Sequence, residues 1–125
     1  MNPAENPATV ALMPYRRPGR TDHWELGLRP ELRAITGTVE LGEHPSAVAS
    51  RLLQDAGFSV LPGALKHLGV CGGTSADDGV YHLFAADVSH VERGEARVAL
   101  TWTYLTGEKV ADPLVYVMAV RAELL

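Results

Sequence analysis

The chain has 125 residues, of which 46% are hydrophobic and 21% charged, with a formal net charge of −4. These values suit one folded domain over residues 9–125 and exclude an intrinsically disordered chain, while the acidic balance argues against a nucleic-acid partner, which a basic excess would mark. The lone Cys71 excludes an internal disulfide and a multi-cysteine zinc site and fits a reducing, cytoplasmic setting, and no apolar run approaches the ~20 residues of a membrane span.

Residues 1–8, rich in proline and asparagine and without an apolar signal core, read as a disordered lead-in. Thr9–Met13 is an apolar run bounded by Pro14 and predicts a strand. A loop with a basic cluster follows, holding Arg16, Arg17 and Arg20. Trp24–Leu28 alternates apolar and polar residues, as a half-buried strand does, and Leu32–Val39 alternates again, with Ala34 and Ile35 on opposite faces. Pro45–Ala56 is the clearest helix. Pro45 suits the first turn, Val48, Ala49, Leu52, Leu53 and Ala56 form one apolar stripe, and Gly57 stands at the expected stop.

Phe58–Leu61, Leu65–Val70, Val80–Val88 and Ala96–Thr103 predict further strands, with a Gly/Asp-rich loop between Cys71 and Gly79 and a charged turn over Ser89–Glu95. Asp112 predicts the cap of a last helix over Pro113–Leu124, with Pro113 at its first position. Short strands with two helices predict a mixed sheet flanked by helices.

The stretch from Gly37 to Phe58 resembles the Nudix box of the Nudix hydrolases, G-x5-E-x7-R-E-U-x-E-E-x-G-U. Gly37 and Glu43 match its opening, Arg51 lies at the seven-residue gap, and Gly57 with Phe58 match its close. The segment from Glu43 to Gly57 is one residue short, which leaves two alignments. Anchored on Arg51, the three helix carboxylate positions fall on Leu52, Asp55 and Ala56; anchored on Gly57, they fall on Arg51, Gln54 and Asp55. The second places Leu52 and Phe58 at apolar positions and is the preferred one. Both retain a single acid, Asp55, and Arg51 stands four residues before it, a spacing at which the two can pair.

The resemblance implies an α/β/α sandwich of the Nudix type with a small mixed β-sheet. It also implies a nucleoside diphosphate derivative such as ADP-ribose as ligand, Mg²⁺ or Mn²⁺ as cofactor, and a homodimer. Glu40, Glu43 and Asp55 become the candidate metal ligands, with Glu43 and Asp55 catalytic. Carboxylates on one helix face hold a hard cation that neutralises the diphosphate and activates water. Tyr15-Arg16-Arg17-Pro18-Gly19 resembles the Tyr-Arg-x-Pro stretch of ADP-ribose pyrophosphatase-like members, which makes Arg16 and Arg17 candidate phosphate binders. Gly107-Glu108-Lys109 and Asp112 resemble the approach to that subfamily's last helix. At this length the resemblance leaves no room for additional N-terminal dimerisation strands.

With one helix acid in place of three, weak metal binding and weakened or lost hydrolysis are expected. Three readings follow: a ligand-binding module, an active metal-dependent diphosphate hydrolase, and a purely structural, dimerising domain. The five histidines show no metal-ligand spacing, Cys71 reads as a buried structural thiol, and Asp77-Asp78 as a solvated turn. Gly72-Gly73-Thr74-Ser75 lacks the Lys-Ser/Thr ending of a phosphate-binding loop. Trp24 and Trp102 read as core or interface.

Overall fold

Strand β1 (Thr9–Arg16) is the axis of the molecule, and its sequence explains why. Its inner residues are buried on both faces, as a strand between two layers requires. Val10 and Leu12 join one core, in which Val48, Ala49 and Leu53 of helix α1 (Pro45–Asp55) are packed. Ala11, Met13 and Tyr15 point the other way, into a core with Val115, Met118 and Ala119 of helix α2 (Pro113–Arg121). The computed structural model describes residues 8–17, 19, 23–59, 62–72, 79–105 and 112–124. Residues 1–7 of the expected lead-in, Pro18, Arg20, Asp77-Asp78, the 73–75 segment and Gly107-Glu108-Lys109 therefore lie outside the described residues, whereas the Ala8 carbonyl accepts from the Val39 N–H at 2.9 Å.

Five more strands complete the sheet. β2 (Glu25–Leu28) and β3 (Ile35–Thr38) both run antiparallel to β1, and β5 (Val80–Asp87) runs parallel to it. β4 (Leu65–Gly72) pairs outside β5, and β6 (Thr101–Tyr104) outside β2. The order is β4-β5-β1-β2-β6, with β3 beside the first half of β1. The result is a mixed sheet with a helix on each face, the expected α/β/α sandwich.

Three expectations are corrected. β1 does not end at Pro14 but runs on to Arg16. On the side shared by β3 and β2, its pairing passes from Leu12↔Ile35 to Tyr15↔Leu26. Pro14 falls in that handover, where a missing N–H costs least. Phe58 begins no strand: it is buried against Trp102, with ring centroids 6.1 Å apart. Residues 96–100 are not strand either. The N–H groups of Arg97 and Val98 donate to the Asp55 carbonyl at 2.7 and 3.2 Å, so this segment is strapped to the end of α1.

Candidate functional site

The box segment folds as loop, helix and tight close. Gly37 lets β3 approach α1, because a Cβ there would meet Leu52 Cδ2 at 3.1 Å. His44 caps α1, its Nδ1 accepting from the Ser46 N–H at 3.2 Å, and Pro45 opens the first turn. At the other end Gly57 has φ +98°, and a Cβ would lie 2.9 Å from Arg93 Cγ and 3.0 Å from the Gly94 carbonyl oxygen. Arg93 donates to the carbonyls of Ala56 and Val98, and the Gly94 N–H donates to the Gly57 carbonyl at 2.7 Å. The carbonyls left open at the C-terminus of α1 thus find partners in the 93–98 strap.

The acids of the box do not converge. Glu43 Oε2 accepts from Arg51 Nη1 at 2.8 Å, and Glu43 Oε1 accepts from the Glu40 N–H at 3.0 Å. The Glu40 amide first, and then the Arg51 guanidinium, hold the Glu43 carboxyl below its usual range. Arg51 therefore pairs with Glu43, not with Asp55 as the four-residue spacing suggested. Leu53 is the fully buried leucine of the helix, as the alignment anchored on Arg51 asks, whereas the left-handed Gly57 and the buried Phe58 match the close of the alignment anchored on Gly57, so both alignments keep support. Among the described residues no three His, Cys, Asp or Glu side chains are grouped to hold a metal ion. Glu40, Glu43 and Asp55 are thus not gathered into one oxygen site of the kind Mg²⁺ takes.

Arg16, the last residue of β1, and Arg17, the first beyond it, stand over different tryptophans. Arg16 lies 3.8 Å over the Trp102 ring, on the α1 side, and donates to Glu25 Oε1 at 2.9 Å. Arg17 lies 4.4 Å over Trp24, which packs on the α2-side core. Each tryptophan is thus half-buried under a guanidinium.

A cleft of about 690 Å³ opens on the α2 side, and none of Arg16, Arg17, Glu40, Glu43 or Asp55 lines it. Its walls include Thr36 of β3, Tyr81 of β5, and Leu114 and Val117 of α2, with Asp112 at the helix start and Cys71 of β4 beside them. Asp112 Oδ1 caps α2 by accepting from the Leu114 N–H at 3.3 Å, as the sequence predicts. Arg29, Glu31 and Arg33, from the connection between β2 and β3, form a charged rim. Sequence reasoning did not find these three. Two arginines four residues apart around Pro30 were the available signal, and they belong to no motif. Among the described residues no helix is long and apolar enough to cross a membrane.

No protein-family model matches the chain, and no curated protein does. Solved structures do. A MutT/nudix family protein from Enterococcus faecalis superimposes with a TM-score of 0.63 at 14% identity, over 86% of this chain and 48% of the other. The T. brucei MERS1 protein, in a complex with RNA, gives 0.59 at 19% identity, over 93% and 48%. The chain thus spans about half the length of these two proteins. The NUDIX domain of Shewanella oneidensis NrtR, complexed with ADP ribose, gives 0.57 at 18% identity, over 94% and 88%. Identities this low speak to architecture alone, and on architecture they agree with the sandwich described above: the chain has the fold of the Nudix superfamily.

Proposed function

We propose that this Nudix-fold chain is a binding module that takes a nucleoside diphosphate derivative of the ADP-ribose type in the cleft on its α2 side, without ordinary metal-dependent hydrolysis at the box. The observation that carries this reading is the closure of Glu43 on Arg51 and the Glu40 amide, with no three acids of the box gathered at one point among the described residues. The open cleft, with aromatic, apolar and arginine walls, is the kind of concavity that small ligands use.

The test is a thermal-shift titration of the purified chain with ADP-ribose, in Mg²⁺, in Mn²⁺ and in EDTA, alongside phosphate release after phosphatase treatment. The expected result is ligand-dependent stabilisation that survives EDTA, with no turnover. The spacing of Gly37, Glu43 and Arg51 supports the competing hydrolase reading. There Glu40, Glu43 and Asp55 hold Mg²⁺ or Mn²⁺, and Arg16 or Arg17 meets the phosphates. That reading requires turnover in metal that Glu43→Gln and Asp55→Asn both abolish. Absence of both binding and turnover leaves the structural, homodimeric reading, which sedimentation addresses. An RNA oligonucleotide in the same titration checks the expectation, from the acidic balance, that nucleic acid is not the ligand.

A further inference from the structure

We infer that the turn 29–33 is the anion-recognition element of the cleft, and that Arg33 and Arg29, in place of a metal ion, neutralise the ligand's phosphate groups. This deepens the binding reading above and rests on it.

The turn is built to bring its two arginines to one rim. The Arg29 N–H donates to the Arg33 carbonyl at 2.9 Å, and the Leu32 N–H donates to the Arg29 carbonyl at 2.7 Å. These bonds close the backbone into a tight loop whose ends are the two arginines. Closing it forces Leu32 to φ 63°, a left-handed conformation that a γ-branched residue rarely adopts. Leu32 is 43% exposed, so burial of its own side chain does little to offset that strain.

The charges around the turn are unequal in their freedom. Arg29 Nε is 3.1 Å from Glu31 Oε1, and both side chains are about half exposed. Arg33 has no side-chain hydrogen bond or ion pair among the described residues. It is therefore the cation of the rim that can meet an anion at no cost in an existing bond. Guanidinium groups match phosphate oxygens two bonds at a time and carry their charge at every physiological pH. Glu31 works the other way. It occupies Arg29 and adds a negative charge at the rim, which disfavours a densely charged triphosphate more than a diphosphate bridged between two groups.

Calorimetric titration of the full chain with ADP-ribose in EDTA, at several salt concentrations, tests this. Arg33→Gln should weaken binding by roughly tenfold and flatten its salt dependence. Arg29→Gln should cost less, Arg33→Lys should recover part of the loss, and Glu31→Gln should tighten binding and narrow the gap between ADP-ribose and ATP. Circular dichroism and the thermal midpoint of Arg33→Gln should match the parent chain. Wild-type affinity in Arg33→Gln, or weaker binding in Glu31→Gln, overturns the inference while leaving the binding reading intact. Failure of the parent chain to bind ADP-ribose in EDTA overturns both.

Discussion

Glu43 of the box and Arg33 of the cleft, on opposite faces of the sheet, carry their charges in opposite states. On the α1 side, Glu43 is held from within, by a guanidinium on one oxygen and an amide on the other. On the α2 side, Arg33 stands at a cleft rim with no acid on it among the described residues. An acid already paired inside the chain has little left with which to recruit an external cation. An unpaired cation beside a cavity has everything left with which to recruit an anion. The box is thus the place where sequence resemblance is strongest, and the cleft is a place where the described residues leave room for a ligand.

Core substitutions give the largest expected effects and ask whether the faces are separable. Leu53, at 1% exposure, lies under the α1 side, and Met118, at 0%, under the α2 side. Leu53→Ala and Met118→Ala should each cost about 2–5 kcal/mol in chemical denaturation. Below both unfolding transitions, Met118→Ala alone should weaken ADP-ribose binding, because α2 carries Leu114 and Val117 of the cleft wall. Equal loss of binding in the two variants breaks the comparison.

Gly57→Ala comes next. Its φ of +98° and the Gly94 oxygen 3.0 Å from the new Cβ leave no relaxed position, since Gly94 O is backbone and the flexible Arg93 can yield but the strap cannot. A loss of about 1–3 kcal/mol in unfolding free energy, read from urea denaturation, is expected, with faster proteolysis of the 93–98 strap. Cleft affinity at low temperature should be unchanged. A neutral substitution shows that the strap does not pack on α1 as described.

Much of this was legible in the residues. The apolar run of β1, the alternation of β5, the stripe of α1 and the Asp112-Pro113 start of α2 are local patterns, and local patterns survive folding. Residues 96–100 misled because their composition suits a strand, yet the N–H groups of Arg97 and Val98 both donate to one carbonyl, that of Asp55, at a helix end about forty residues away in sequence. Arg51 misled for a related reason. The rule for neighbours on a helix points it at Asp55, but the loop curls Glu43 back to within 2.8 Å of it. The cleft was invisible because it is assembled from the β2–β3 turn, β3, β4, β5 and α2, and no window of sequence contains it.

Glu43→Gln has the smallest expected effect and bears most directly on the comparison. The folded-state carboxyl of Glu43 is held below its usual range, first by the Glu40 amide and then by Arg51. A depressed carboxyl stabilises the fold above the unfolded value of about 4.3 and loses that contribution as pH falls through the folded one. The thermal midpoint of Glu43→Gln should therefore lie slightly below that of the parent chain at neutral pH, and the two should converge below roughly pH 4. The pair is exposed, so the difference should also shrink at about 1 M salt, where screening acts within ~3 Å. The same curves carry the sharper question when Mg²⁺ is added at neutral pH. If Glu43 belongs to Arg51, the ion leaves both midpoints where they were. If Mg²⁺ raises the parent midpoint and not that of Glu43→Gln, the ion has displaced the guanidinium, and the box is a metal site after all.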